Sequence, residues 1–425
     1  MREKSFVALR YRDFRLLWFG QLISVAGSQM QSAAILWQIY AITHSPLDLG
    51  LIGLTRLLPM IGFGLISGLM ADAMDRRRLM LVTQCGMAVA ASILAGLTFH
   101  GLQSVWPIYL LATLSAAFGT FDTPARQSLI PNLVSREHLT NAYSLNATMF
   151  QLGAVVGPSL AGVAIASAGV GWVYLINALS FLAVIGALVA MHPVAQGRIS
   201  RQVISFAGAL EGLRFVMGAP LIRSTMLLDF FVTFFASATT LLPVFAQTIL
   251  HVGPQGYGLL YAAPSLGAVI AALAVSLHGT IRRQGPVLLT SVAVYGAATV
   301  LFGLSPWFGL TFCALAIGGM ADTVSMVIRG TLRQLQTPDE LRGRMTSWNM
   351  IFFNGGPQLG ELEAGLVAHW LGAVISVVMG GVGSLAATSW VAASTPEIRR
   401  YRGEEPPAGQ EDLSHPQVRI QSPAP

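Results

Sequence analysis

The chain predicts an all-α membrane protein of twelve transmembrane helices arranged as two six-helix bundles. Three observations carry this. Only 10% of the 425 residues are charged and 54% are hydrophobic, whereas a soluble domain carries about 25% charged residues. There is too little polar surface to coat a water-soluble body of this length. Apolar stretches of the roughly 20 residues that cross a bilayer recur along the whole sequence. Finally, every one of the 25 lysines and arginines except Arg56 falls in the N-terminal segment, in alternate connections or in the C-terminal segment. Positive side chains are retained on the cytoplasmic side during insertion. The alternation therefore predicts a multi-pass membrane protein with both termini in the cytoplasm.

The spans are expected near 16–42, 47–70, 79–99, 106–126, 143–167 and 171–191, then 221–249, 257–278, 286–304, 307–328, 345–369 and 371–393. Residues 1–15 read as a basic amphipathic lead-in suited to the membrane surface, and 16–191 as the first bundle. The connection 192–220 repeats apolar residues at helical spacing from Ile204 to Met217, which predicts an interfacial helix. Residues 221–393 form the second bundle. The tail 394–425 is Pro-rich and polar and reads as disordered.

The halves repeat. His44-Ser45-Pro46 with Gly50, and His251 with Gly258, follow corresponding spans. Asp122 and Asp322 end the fourth and tenth. The segment SREHL (135–139) precedes the fifth span as TPDEL (337–341) precedes the eleventh, and Gly153 and Gly355 follow at the same distance. Parallel repeats of six spans are a transporter layout.

Several classes are disfavoured. The net charge of +6 comes from arginines in connections. It suits an anionic leaflet and gives no support for nucleic-acid binding. Cys85 and Cys313 sit in apolar runs without disulfide or metal spacing. The histidines, among them His138, His192, His278 and His369, are scattered, so neither a metal site nor a membrane enzyme is expected. No phosphate-cradling Gly-x-x-x-x-Gly-Lys-Ser/Thr stretch occurs. No cofactor is expected, and the first span lacks a cleavage site.

Two motifs give the chain a resemblance to the major facilitator superfamily. Gly68-Leu-Met-Ala-Asp72-Ala-Met-Asp75-Arg76-Arg77-Arg78 is similar to the signature loop between the family's second and third helices. Gly153-Ala-Val-Val-Gly157-Pro158-Ser-Leu-Ala161-Gly162 resembles the glycine-rich helix-5 signature of its antiporters, departing at Ala161. The segments RDFRLLWFGQ, THSPLDLG, FDTPARQSLIP and LEGLRFV are similar to the enterobactin-exporter and macrolide-efflux branch. The resemblance implies a secondary-active exporter of a small organic molecule, drug-like or of siderophore type. It also implies alternating access, proton antiport and a chain working as a monomer. A proton-coupled importer and a transport-inactive sensor or scaffold are the competing readings.

The resemblance also implies that Asp72 faces the start of helix 11 near Arg344, as a latch between halves, with Arg76, Arg77 and Arg78 placed to brace Asp72 or Asp75. Gly68 permits close helix packing. Gly153, Gly157 and Gly162, with Pro158, are expected to bring helix 5 against the opposite half. Asp122 and Arg126 stand at i,i+4 and can pair. Asp322 and Arg329 are seven apart and are not expected to pair directly. These four read as gating charges. Ionisable groups within spans cost about 2.5–3.5 kcal/mol on insertion scales, so each is a functional candidate. Arg56 is expected roughly 12 Å from the outer end of helix 2. Glu361 and Glu363 on helix 11 lie at matching depth, and one of them is expected to pair with it, Glu361 being favoured. Asp229 is placed to bind a proton or a cationic substrate, or to pair with Arg223. Gln21, Gln29, Gln31 and Gln38 with Trp37 are placed to line the cavity.

Overall fold

The computed structural model describes residues 6–192, 206–278, 281–338 and 341–403. The long helices are α1 (Arg12–Thr43), α2 (Pro46–Ala73), α3 (Arg76–Phe99), α4 (Trp106–Leu129), α5 (Leu139–Ala168) and α6 (Val170–Ala190). A connecting helix α7 (Phe206–Gly218) leads to α8 (Pro220–Phe235), a one-turn α9 (Leu242–Val244), α10 (Gly253–His278), α11 (Gln284–Leu304), α12 (Phe308–Gln336), α13 (Arg342–Leu371) and α14 (Ala373–Ser394), with a final turn α15 (Pro396–Arg400). Among the described residues, nine helical stretches are long and apolar enough to cross a membrane. The helices α1, α4 and α13 have comparable length, at 32, 24 and 30 residues, but carry more polar and charged side chains.

Helix ends follow local chemistry. Ser45 caps α2 by accepting from the Asp48 amide, and Pro46 occupies its first turn, where no N–H partner is needed. Asp75 caps α3 through a 3.0 Å bond from the Arg78 amide. Gly169 and Gly372, at φ of 91° and 94°, turn the chain between α5 and α6 and between α13 and α14. The stretch expected as one helix over 221–249 is broken. The helix α8 stops at Phe235, a 3₁₀ turn runs Ala238–Leu241, and a π turn Phe245–Ile249 follows α9. Pro243 has no amide to donate and its ring crowds the carbonyl four residues earlier, which interrupts the ladder here.

Helices α1 to α6 pack among themselves, as do α8 to α14. The halves meet along two seams, α2 on α13 and α5 on α10. Each of these four helices contains one internal proline: Pro59, Pro264, Pro158 and Pro357. A proline within a helix removes one hydrogen bond and bends it. The seams are tight at one end of the molecule and open at the other. A Cβ placed on Gly365 would lie 2.6 Å from Gly50 Cα, and one on Gly162 would lie 2.6 Å from Pro254 O. Further along α2, no neighbouring atom lies within 4 Å of a Cβ built on Gly62, Gly64 or Gly68, and the same is true of Gly355 in α13. The apolar core agrees. At the tight end one cluster joins both halves through Ile39, Tyr40, Tyr174, Phe245 and Tyr257. At the other end, which carries the arginine-rich connections and is here termed the basic end, each half has its own clusters.

Two further expectations change. The lead-in does not run free over 1–15. Val7–Arg10 form a 3₁₀ turn, α1 begins at Arg12, and the amide of buried Ala8 donates to Asn141 Oδ1 at 3.0 Å. Phe14 is buried in the N-terminal cluster and Leu9 packs against it, whereas Phe6 stays exposed. The start of the tail is packed: Ile398 and Tyr401 are buried, and Gly285 N donates to Tyr401 O at 2.9 Å. The remaining tail, 404–425, lies outside the described residues, as does 193–205 of the connection.

Candidate functional site

Three groups of ionisable side chains lie inside the helical body. The first sits on the α2–α13 seam. Arg56 Nη1 is 3.6 Å from Glu361 Oε1, and Tyr261 of α10 is within electrostatic reach of both. The second carboxylate oxygen of Glu361 is buried and makes no hydrogen bond among the described residues. Glu363 makes no ion pair there; two residues along a helix turn it by about 200°, away from Arg56. The pair lies just below the glycine contacts of the tight end. The main-chain carbonyl of Glu361 is itself 2.8 Å from a Cβ built on Gly50.

The second group fills the C-terminal half. Asp229 of α8 forms ion pairs with two arginines of α12, Arg329 at 2.9 Å and Arg333 at 3.3 Å, and accepts a hydrogen bond from Arg333. Arg329 also reaches Asp322 at 3.2 Å, and Arg333 donates to Asn349 of α13. Asp229 therefore does not pair with Arg223, whose Nη1 donates instead to Met217 O. The direct contact between Asp322 and Arg329 corrects the sequence expectation. Seven residues bring two side chains within about 20° of one face, and helical side chains lean toward the N-terminus. The long arginine reaches back. Arg329 and Arg333 are 1% and 5% exposed, so they are interior charges, although the sequence placed them in a connection.

The third group is its counterpart in the N-terminal half. Asp122 and Arg126 do not form the expected i,i+4 pair. Asp122 Oδ1 accepts from Thr83 at 3.0 Å and Gln84 at 2.9 Å. Arg126 donates to Gln21 at 3.3 Å and lies over the Phe150 ring at 4.5 Å. These neighbours outcompete the local pair because both charges are buried and need partners of fixed geometry. Gln21 and Asp229 are 208 positions apart, the offset that also separates Gly50 from Gly258. The C-terminal half thus holds an acid and an extra arginine where the N-terminal half holds an amide. Beside this group lies a cavity of about 240 Å³, lined by Gln29, Phe181, Gln21, Gln84, Asp122 and Arg126 among others. A larger apolar groove of about 560 Å³ between α1, α5 and α6 faces outward and holds no ionisable group.

The remaining expected residues divide. Of the α1 glutamines, Gln29 lines the cavity. Gln31 bonds Asn177, and Gln38 bonds Thr98 and Tyr174, tying α1 to α3 and α6. Trp37 does not line the cavity. It packs on Tyr257 at 5.2 Å between ring centres, and the Tyr257 hydroxyl donates to Ala33 O at 2.8 Å across the halves. Gly153 and Gly157 face α1, with built Cβ atoms 2.6 Å from Val25 Cγ1 and Ala26 O, and only Gly162 meets the opposite half. The spacing explains this: four residues turn about 40°, five about 140°. Gly68 mediates no close packing here. Arg76 donates to Ser128 O and Arg77 to Val189 O, each at 3.0 Å. They satisfy carbonyls at the ends of α4 and α6, where a helix carries partial negative charge. The Asp72 side chain lies outside the described residues. Arg344, expected near it, pairs with Glu211 of α7.

A sequence profile described as transmembrane secretion effector matches residues 3–409. The chain belongs to that family, within the major facilitator superfamily. Members of similar sequence include the enterobactin exporter EntS of Citrobacter koseri, 29% identical over 399 residues and covering 92% of this chain and 94% of the relative. The EntS protein of Salmonella typhi is 29% identical over 400 residues with the same coverage. Solved structures share the fold. A bacterial homologue of the lysosomal transporter Spinster, inward-facing and unoccupied, superposes with a TM-score of 0.70 at 15% identity, covering 92% of this chain and 96% of that one. An inward-facing bacterial homologue of ferroportin gives 0.65 at 16%, covering 92% and 99%. The nucleoside transporter NupG gives 0.71 at 13%, covering 92% and 100%. As a family member, the chain is a multi-pass membrane transporter.

Proposed function

We propose that the chain is a secondary-active exporter of a small organic molecule, of siderophore or drug-like type, in the inner membrane of a bacterium. All twelve long segments cross the bilayer as two six-helix bundles. The three more polar ones, α1, α4 and α13, are sheltered by their neighbours. The basic end is cytoplasmic, by the retention of arginine on that side, and so are both termini. The described conformation is then open to the cytoplasm and sealed outside. Alternating access follows from rocking the halves about the seams.

The observation that carries the mechanism is the position of the Arg56–Glu361 pair in the outer seal. A proton arriving from outside neutralises Glu361 and leaves half-buried Arg56 without its counter-charge across the seam. That cost favours separation of α2 from α13 and entry of water. Opening outward therefore accompanies proton uptake from outside, and the proton leaves Glu361 to the cytoplasm once the halves have returned to the inward-open arrangement. The protein exchanges protons for cargo, and functions as a monomer. Asp229 is not suited to this role: its protonation would leave buried Arg333 without a carboxylate and buried Arg329 with Asp322 alone. The exporting direction and the siderophore-type cargo rest on the likeness to the EntS relatives. The test is transport into everted vesicles with a panel of dyes, macrolides and catecholates. Cargo uptake that a protonophore abolishes supports the reading. Uptake only in right-side-out vesicles would instead support an importer.

A further inference from the structure

We propose that the cavity within the N-terminal half is a binding subsite for an uncharged aromatic ring bearing hydroxyl groups. The inference rests on the exporter reading for its place in transport; the binding itself is independent of it. Gln21 and Gln84 line the cavity and are 3% and 2% exposed. Each makes one strong bond, and each leaves one polar atom unmatched: Nε2 of Gln21 and Oε1 of Gln84 make no hydrogen bond among the described residues. Rotating either amide does not cure this. Gln21 must present its oxygen to Arg126, which only donates, and Gln84 its nitrogen to the Asp122 carboxylate, which only accepts. Two side chains of the cavity wall thus carry an unmatched donor and an unmatched acceptor. Buried polar groups are costly when unmatched, so a partner is expected there. A hydroxyl group both accepts and donates, and two adjacent hydroxyls meet both atoms at once.

The charge balance narrows the class. Asp122 and Arg126 compensate one another in the same wall, so neither an anion nor a cation gains a net counter-charge. Phe150 and Phe181, with Met87, supply apolar faces on other sides, suited to a flat ring. The volume of about 240 Å³ holds one ring and not a whole drug-sized molecule, so the site takes one group of a larger cargo. Gln29 and Ser28 stand at its edge on α1.

The test uses the full chain in lipid nanodiscs and equilibrium binding of four probes: catechol, toluene, benzoate and benzylamine. Catechol is expected to bind at least tenfold more tightly than the other three. Gly119 lies in the cavity wall, and a Cβ there meets nothing within 4 Å, so Gly119→Leu fills the space without a backbone clash. It is expected to weaken catechol binding tenfold or more with an unchanged size-exclusion profile. Should that variant fail to fold, Ser28→Leu, entering from α1, carries the same expected outcome. Equal binding of catechol and toluene, or catechol binding untouched by cavity filling, overturns the subsite. If cargo is transported while cavity filling changes nothing, the subsite falls and the exporter reading stands. If catechol binds as stated in a chain that moves no cargo, the exporter reading falls and the subsite stands.

Discussion

Arg56 Nη1 lies 3.6 Å from Glu361 Oε1 across the seam between the halves, with the other oxygen of Glu361 buried and unmatched. Half of this carboxylate is used as a structural tie and half is left without compensation, an arrangement placed to respond to a proton. Glu361→Gln is expected to abolish protonophore-sensitive transport while leaving cargo-binding intact. Exchanging the charges, Arg56→Glu with Glu361→Arg, is expected to restore what each single change removes. Because Arg56 is 38% exposed in its side chain, its direct contribution to stability is expected to be only about 1 kcal/mol or less. Transport rates in everted vesicles, alongside melting temperatures in detergent, separate the two effects. Wild-type transport in Glu361→Gln would rule the pair out as the coupling site.

The interior cluster of the other half predicts the opposite balance. Asp229 holds Arg329 and Arg333, all three almost fully buried. Asp229→Ala leaves Arg333 without a carboxylate and Arg329 with Asp322 alone, and breaking a buried pair in this way costs about 3–5 kcal/mol. Low yield of folded protein and a large drop in melting temperature are expected. Asp322→Asn should cost much less, since that carboxylate is 39% exposed in its side chain. Thermal unfolding of the two variants decides it, and equal losses would contradict the assignment.

Glycines at the two ends of the seams predict opposite shifts in conformation. Gly162→Val cannot keep its place, as even a Cβ falls 2.6 Å from Pro254 O, so the outer seal is expected to loosen. Gly64→Ala meets nothing in the described state and replaces a helical glycine, which favours the helix by up to about 1 kcal/mol. Its methyl group intrudes only if the basic ends close. Accessibility of single cysteines placed at each end should rise outside for the first variant and inside for the second.

The arginines that terminate α4 and α6 predict a local effect. Arg76→Met removes the donor to Ser128 O and is expected to destabilise by about 1–3 kcal/mol, the cost of an unmatched buried carbonyl. Arg78→Met touches no such carbonyl and should fall within about 0.5 kcal/mol of wild type. Melting temperatures of the two compare them directly.

Much of the helical layout was legible because lipid leaves the sequence few options: long apolar stretches, glycines at the hairpins and arginines in alternate connections. The depth match that pairs Arg56 with Glu361 was legible for the same reason, since rise along a helix is fixed. What depends on competition between partners was not. Asp122 and Arg126 have ideal spacing and separate, because Thr83, Gln84, Gln21 and Phe150 satisfy them better. Asp322 and Arg329 have unpromising spacing and meet, because arginine is long. Arg333 was read as a connection charge because the tenth helix was ended eight residues early, at 328 rather than Gln336; its recurrence four residues after Arg329 was the available signal. The break near Pro243 was signalled by the proline itself and hidden by the apolar run around it.

The central claim, that protonation of the outer seal reverses which end is open, is tested most directly by a distance. Residues 78 and 282 are exposed at the basic end, one in each half. Spin labels there, measured by pulsed dipolar spectroscopy in nanodiscs, report the separation of the halves as pH falls. The account predicts a shorter distance on acidification, and the short distance at all pH values in Glu361→Gln. A separation that does not change with pH, or that Glu361→Gln leaves as in the wild type, would contradict it.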